Sequence, residues 1–157
     1  MKHFVLFFTI FTLFSILGCT SQTVNIKETS SKNAEPTNTE YAVGLTSPGN
    51  VNKNTDFKLE AKFTNNKDSE IRITHGEQLF TFYIADKKGN TINHYPIKSL
   101  GVVRGIPSKG TVVEPYTFNI DVAGEYEVWA VANFEISENN ANKKHQLPTL
   151  KQALVVR

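Results

Sequence analysis

The residues able to do chemistry in this chain are few: one cysteine, Cys19, four histidines, and a single methionine that is the first residue. Hydrolysis by a nucleophile needs a Ser or Cys held beside a base, a zinc hydrolase offers H-E-x-x-H on a helix, and nucleotide chemistry uses a glycine-rich loop before a helix. None of these patterns occurs in the sequence. His75 and Glu77, in "THGEQ", have the spacing that puts both on one face of a strand. His94 or His145 would have to reach in from elsewhere to complete a metal site. These polar residues are expected at solvated strand ends instead. The chain is read as non-catalytic, with no metal and no other cofactor, and a metal carrier is the least favoured alternative.

Residues suited to contact are easier to find. In "GEYEVWAVANFEI" a period of two sets Tyr126, Val128, Ala130, Ala132, Phe134 and Ile136 on one face. The lone tryptophan, Trp129, falls on the other face with Glu127, Val131 and Asn133. It is either an exposed anchor, since binding hot spots favour Trp, or it is covered by a loop or returned to the core by a bulge. Val131 shares its fate. The segment "PIKSLGVVRGIPSKG", Pro96 to Gly110, is long for a connection and mixes apolar residues with glycines. It reads as a recognition loop in which Val102 and Arg104 make contacts, or as an irregular edge strand whose apolar residues tuck over the core. "SENNANKKHQLPT", Ser137 to Thr149, is polar throughout and is expected to be a solvated hairpin loop.

The elements that must position these residues are strands. "TDFKLEAKFTNN" alternates Phe57, Leu59, Ala61 and Phe63 with polar residues, "EIRIT" supplies Ile71 and Ile73, and "LFTFYIA" supplies Phe80, Phe82 and Ile84. "DKKGN" follows, with Gly89 free to take the positive φ of a hairpin turn. "TINHY" and "PYTFNI" add short strands and "KQALVV" a last one. Seven or eight strands separated by turn signals, without a helical period, make an all-β chain, an antiparallel sandwich.

The chain opens "MKHFVLFFTIFTLFSILGC": a basic residue, an apolar and hydroxyl run from Phe4 to Leu17, then Gly18 and Cys19. That is the layout of an export signal, and the run stops short of the roughly 20 apolar residues a spanning helix needs. Ile16, Leu17, Gly18 and Cys19 resemble the lipobox of bacterial lipoproteins. The resemblance implies that residues 1–18 are removed, that Cys19 carries diacylglycerol and palmitate, and that the protein sits on the extracytoplasmic face of a bacterial cell membrane. Residues 19–40, rich in Ser, Thr, Asn and Glu, are expected to be a disordered tether. The domain proper then spans 41–157. Basic and acidic residues number 17 and 15, and losing Lys2 with the leader leaves a balance of +1, with no basic block to track a phosphate backbone. Nucleic acid is therefore not the expected partner.

"DVAGEYEV", Asp121 to Val128, resembles the corner of immunoglobulin-like domains, in which an Asp and a Gly precede a Tyr whose hydroxyl bonds back to the turn. The resemblance gives Tyr126 that role, and Val128 stands where antibody domains have a cysteine. "AKFTNNKDSEIRIT" followed by "LFTFYIADKKGNTI" is similar to the middle of BsuPI-type proteinase inhibitor domains. The expected molecule is a lipid-anchored, monomeric Ig-like domain that binds a protein or envelope partner. Proteinase inhibition is the alternative.

Overall fold

Strict alternation in Phe57–Asn65 sends every second side chain inward, and the burial follows it residue by residue from Phe57 to Asn65. The computed structural model describes residues 40–94, 101–138 and 141–157. Nine strands run in order: β1 Tyr41–Thr46, β2 Asn50–Val51, β3 Phe57–Asn65, β4 Ile71–Asp86, β5 Val102–Ile106, β6 Thr111–Phe118, β7 Gly124–Glu138, β8 Ala141–Pro148 and β9 Gln152–Val156. No helix occurs among the described residues. One sheet has the order β1-β3-β6 and the other β2-β9-β7-β4-β5, with β8 also paired to β7. Every pairing is antiparallel except that of β2 with β9, which is parallel.

The two sheets close on an aromatic core. Tyr41 and Phe63 of the first sheet meet Phe134 of the second edge-on, with ring centroids 5.8 and 5.2 Å away, and Phe82 stacks on Tyr116 across the gap at 5.1 Å. Ala130 and Ala132, fully buried on β7, leave room for these rings. Each fully buried large apolar side chain contributes about 1.5–3 kcal/mol, so the sandwich closes without a disulfide.

Two details depart from the pattern read in the sequence, and a third decides between two of its alternatives. The polar stretch after Ser137 is no loop: β8 pairs with β7 from Val131↔Pro148 to Glu138↔Ala141, with His145 and Leu147 turned inward. Among its described residues "TINHY" forms only a bridge, Ala85↔Thr91, and the Asn93 side chain takes the place of a strand. Its Oδ1 accepts from the Ile84 N–H at 2.8 Å and its Nδ2 donates to the Phe82 carbonyl at 2.9 Å. From 102 to 106 the long "PIKSLGVVRGIPSKG" segment is edge strand β5, while its first residues lie outside the described ones. Gly89 does carry the positive φ, 83°, of the turn after β4.

Candidate functional site

The outer face of β7 carries Glu127, Trp129, Val131, Asn133 and Glu135 in a row, because β7 keeps its period of two from end to end. No bulge in β7 turns Trp129 inward. Its register neighbour on β4 is Tyr83, and on the other flank Lys151 precedes β9. The indole stacks on Tyr83 with centroids 5.0 Å apart and planes 8° from parallel, and the Lys151 Nζ lies 4.6 Å from the indole centroid. The two partners reach the indole from the two flanks of β7. Lys151 is itself held by Glu127 at 2.8 Å. Trp129 is thus half-buried on the outer face, clamped by neighbours that the alternation alone did not show.

Further along the stripe, the β4–β7 ladder breaks. Thr74 pairs with Glu135 and His75 with Phe134, and the next pair is Phe80 with Ala132, so Gly76 to Leu79 stand against Asn133 alone. The excursion opens a surface cleft of about 300 Å³ whose walls include Thr74, Gly76, Asn133, Glu135, Lys144 and Gln146. Its volume is at the small end of ligand sites. The Asn133 amide is already turned to the Val131 carbonyl and the Thr81 hydroxyl, and Lys144 reaches Glu135 at 3.5 Å. The cleft offers the amides of Asn133 and Gln146, the Glu135–Lys144 ion pair and the rings of His75, Phe134 and His145, groups suited to hydrogen bonding and stacking.

The other residues expected to make contacts lie elsewhere. Val102 and Arg104 sit in β5 with side chains on its more buried side, while Val103 is the exposed one. The Arg104 guanidinium lies 3.8 Å from the Glu114 carboxylate, which reaches over from β6 and accepts the Leu79 and Phe80 N–H groups. Arg104 therefore braces the join between the sheets and does not sit at the tip of a protruding loop. Tyr126 lies at the start of β7, where its hydroxyl donates to the Val122 carbonyl at 2.8 Å. Burial, with Asp121 and Asp86 nearby, raises its pKa above the usual phenol value, so it stays a donor.

His75 is not a solvated strand-end residue. It is buried on the inner side of β4, while His94 is exposed and His145 stacks on Phe134 with centroids 4.9 Å apart. Phe134, the register neighbour of both His75 and His145, stands between them. Among the described residues no group of three or more His, Cys, Asp or Glu is placed to hold a metal ion. Cys19, the leader and the tether, apart from Glu40, lie outside the described residues.

Two sheets, an aromatic core and a tyrosine that bonds back to the turn before its own strand define an Ig-like β-sandwich. No family model and no curated protein matches the chain. Similar solved structures include the CARDB domain of a Pyrococcus furiosus protein, in complex with di-metal ions, at 15% identity over 74% of this chain and 87% of that one, with a TM-score of 0.46. The putative ApaA protein of Bordetella pertussis is 9% identical over 74% of this chain and 93% of its own, with a TM-score of 0.47. A PapD-like domain of human CEP192 is 14% identical over 78% and 91%, with a TM-score of 0.41.

Proposed function

We propose that this protein is a lipid-anchored binding module of the bacterial cell envelope, held to the extracytoplasmic face of the membrane through Cys19 and acting without catalysis. Its contact surface is the outer face of the β7 sheet. The observation that carries the reading is the continuity of that face. Trp129, half-buried but outward, leads through Val131 into the polar cleft at Asn133 and Glu135, joining an aromatic anchor to a hydrogen-bonding pocket on one strand. The lipobox-like run Ile16 to Cys19 supports the location, since the acyl chains it implies would hold the protein stably where one chain would not.

Photo-crosslinking in intact cells tests it. A photoreactive residue at Val131 of the whole chain is expected to trap a defined partner, while one at Thr117, exposed on β6 of the opposite sheet, is expected to trap none. Equal trapping at both positions would refute the assignment of the face. In the inhibitor alternative the Arg104 contact would come from edge strand β5, where the guanidinium lies 3.8 Å from Glu114.

A further inference from the structure

His75 is an unusual residue to find at a break in a sheet. Its side chain is buried, with 4% of the residue exposed, and neither ring nitrogen has a hydrogen-bond partner among the described residues. Buried polar groups are nearly always paired, and an unpaired one costs free energy that the fold must recover elsewhere. The residue sits at the last regular pair before the excursion, opposite Phe134, and the cleft wall is built from Thr74, His75 and Gly76.

The groups facing the ring differ in sign. On β4 itself the carbonyls of Gly76 and Gln78 lie near enough to favour a protonated ring, though neither is placed to accept a hydrogen bond from it. β5 brings the Arg104 guanidinium, which opposes a positive charge, and β6 brings the Glu114 carboxylate, which favours one. Glu114 is already committed to the Leu79 and Phe80 amides and to Arg104. β7 sets the Phe134 ring opposite, beyond which His145 of β8 and Tyr41 of β1 pack, and Glu135 of β7 with Lys144 of β8 lines the same cleft as an ion pair. A proton on His75 would thus put an unpaired charge in a buried site beside an arginine, with the Glu114 and Glu135 carboxylates already engaged.

We propose that His75 makes the β4 bulge acid-labile: protonation expels the imidazole, frees Gly76 to Leu79 from the sheet, and reshapes the cleft they border. Burial, and after it Arg104, lowers the His75 pKa below the ordinary 6.5. The sign follows directly. An opened or unfolded segment binds a proton near the ordinary histidine value while the closed bulge does not, so the closed form loses stability as pH falls below about 6.5 and is unaffected above it. One titrating group changes the opening equilibrium by at most about tenfold per pH unit. The inference holds whether or not the outer face binds a partner.

Hydrogen exchange of the whole chain, corrected for the intrinsic rates, tests it between pH 7.5 and 5. Opening of the amides of residues 76–80 is expected to increase by about tenfold or more at the acid end in the parent. It is expected to stay flat in His75→Phe and to rise as in the parent in His145→Gln. A flat parent, or an equal rise in His75→Phe, overturns the proposal. Should His75→Phe fail to fold, the imidazole resonances of the parent decide. Titration below the ordinary histidine midpoint, in step with the opening, supports the switch, and ordinary titration without opening refutes it.

Discussion

Trp129 is held by Tyr83 and by Lys151, and its energetic role follows from that. Trp129→Ala loses one aromatic stack and one cation–π contact, which together are worth about 1–2 kcal/mol, and opens no core cavity. A urea titration should show a modest fall in midpoint, well short of the roughly 3–5 kcal/mol that follows removal of a core tryptophan. Tyr126→Phe keeps the packed ring and loses the bond to the Val122 carbonyl, at an expected cost of about 1 kcal/mol in the same assay. These two residues also show what the sequence discloses at this scale. The Asp121–Gly124 turn before Tyr126 is a local signal for a local bond, so the corner was legible. The clamp on Trp129 was not, because Tyr83 and Lys151 are distant in sequence and meet it only through strand register. The ion pair of Arg104 was hidden for a related reason: its partner Glu114 comes from the other sheet.

Whether a stretch pairs depends on what its neighbours leave open, and this is where the element boundaries were least legible. Alternation located β3, β7 and the two ends of β4, read as separate strands, while β9 was read from its apolar content alone. β8 was hidden, since its inward positions are His145 and Leu147 amid lysines and amides, and it forms because β7 runs on past β9 with a free edge. The bulge in β4 was hidden too, for "HGEQL" alternates poorly, and only the pairing with β7 shows where the register slips. At Asn93 a side chain does the work of a strand. Asn93→Ala should leave the buried Ile84 N–H and Phe82 carbonyl unpaired, and an unfolding titration should register a loss of about 2–3 kcal/mol. An Asn93→Ala protein as stable as the parent would show that the bridge near Thr91 suffices alone. Glu114→Ala strips the Leu79 and Phe80 amides of their acceptor, and exchange at those two amides should quicken before any global loss of structure.

At the scale of the whole molecule, the proposed function assigns anchoring to the lipobox-like end and contact to the sandwich. Cys19→Ser removes the only thiol in the chain. The variant should take up no labelled palmitate and should leave the membrane fraction or persist as uncut precursor; a labelled, membrane-bound mature variant would contradict the anchor. The central claim is that the outward stripe on β7 makes the contact while the fold stands without it. The most direct measurement is crosslinking yield from a photoreactive residue at Val131, in intact cells, with Trp129 present or replaced by alanine. A hot-spot side chain contributes about 2 kcal/mol or more to binding, roughly thirtyfold in affinity. The account predicts that Trp129→Ala, still folded, loses most of the trapped partner at subsaturating levels. An unchanged yield from the folded variant would contradict it.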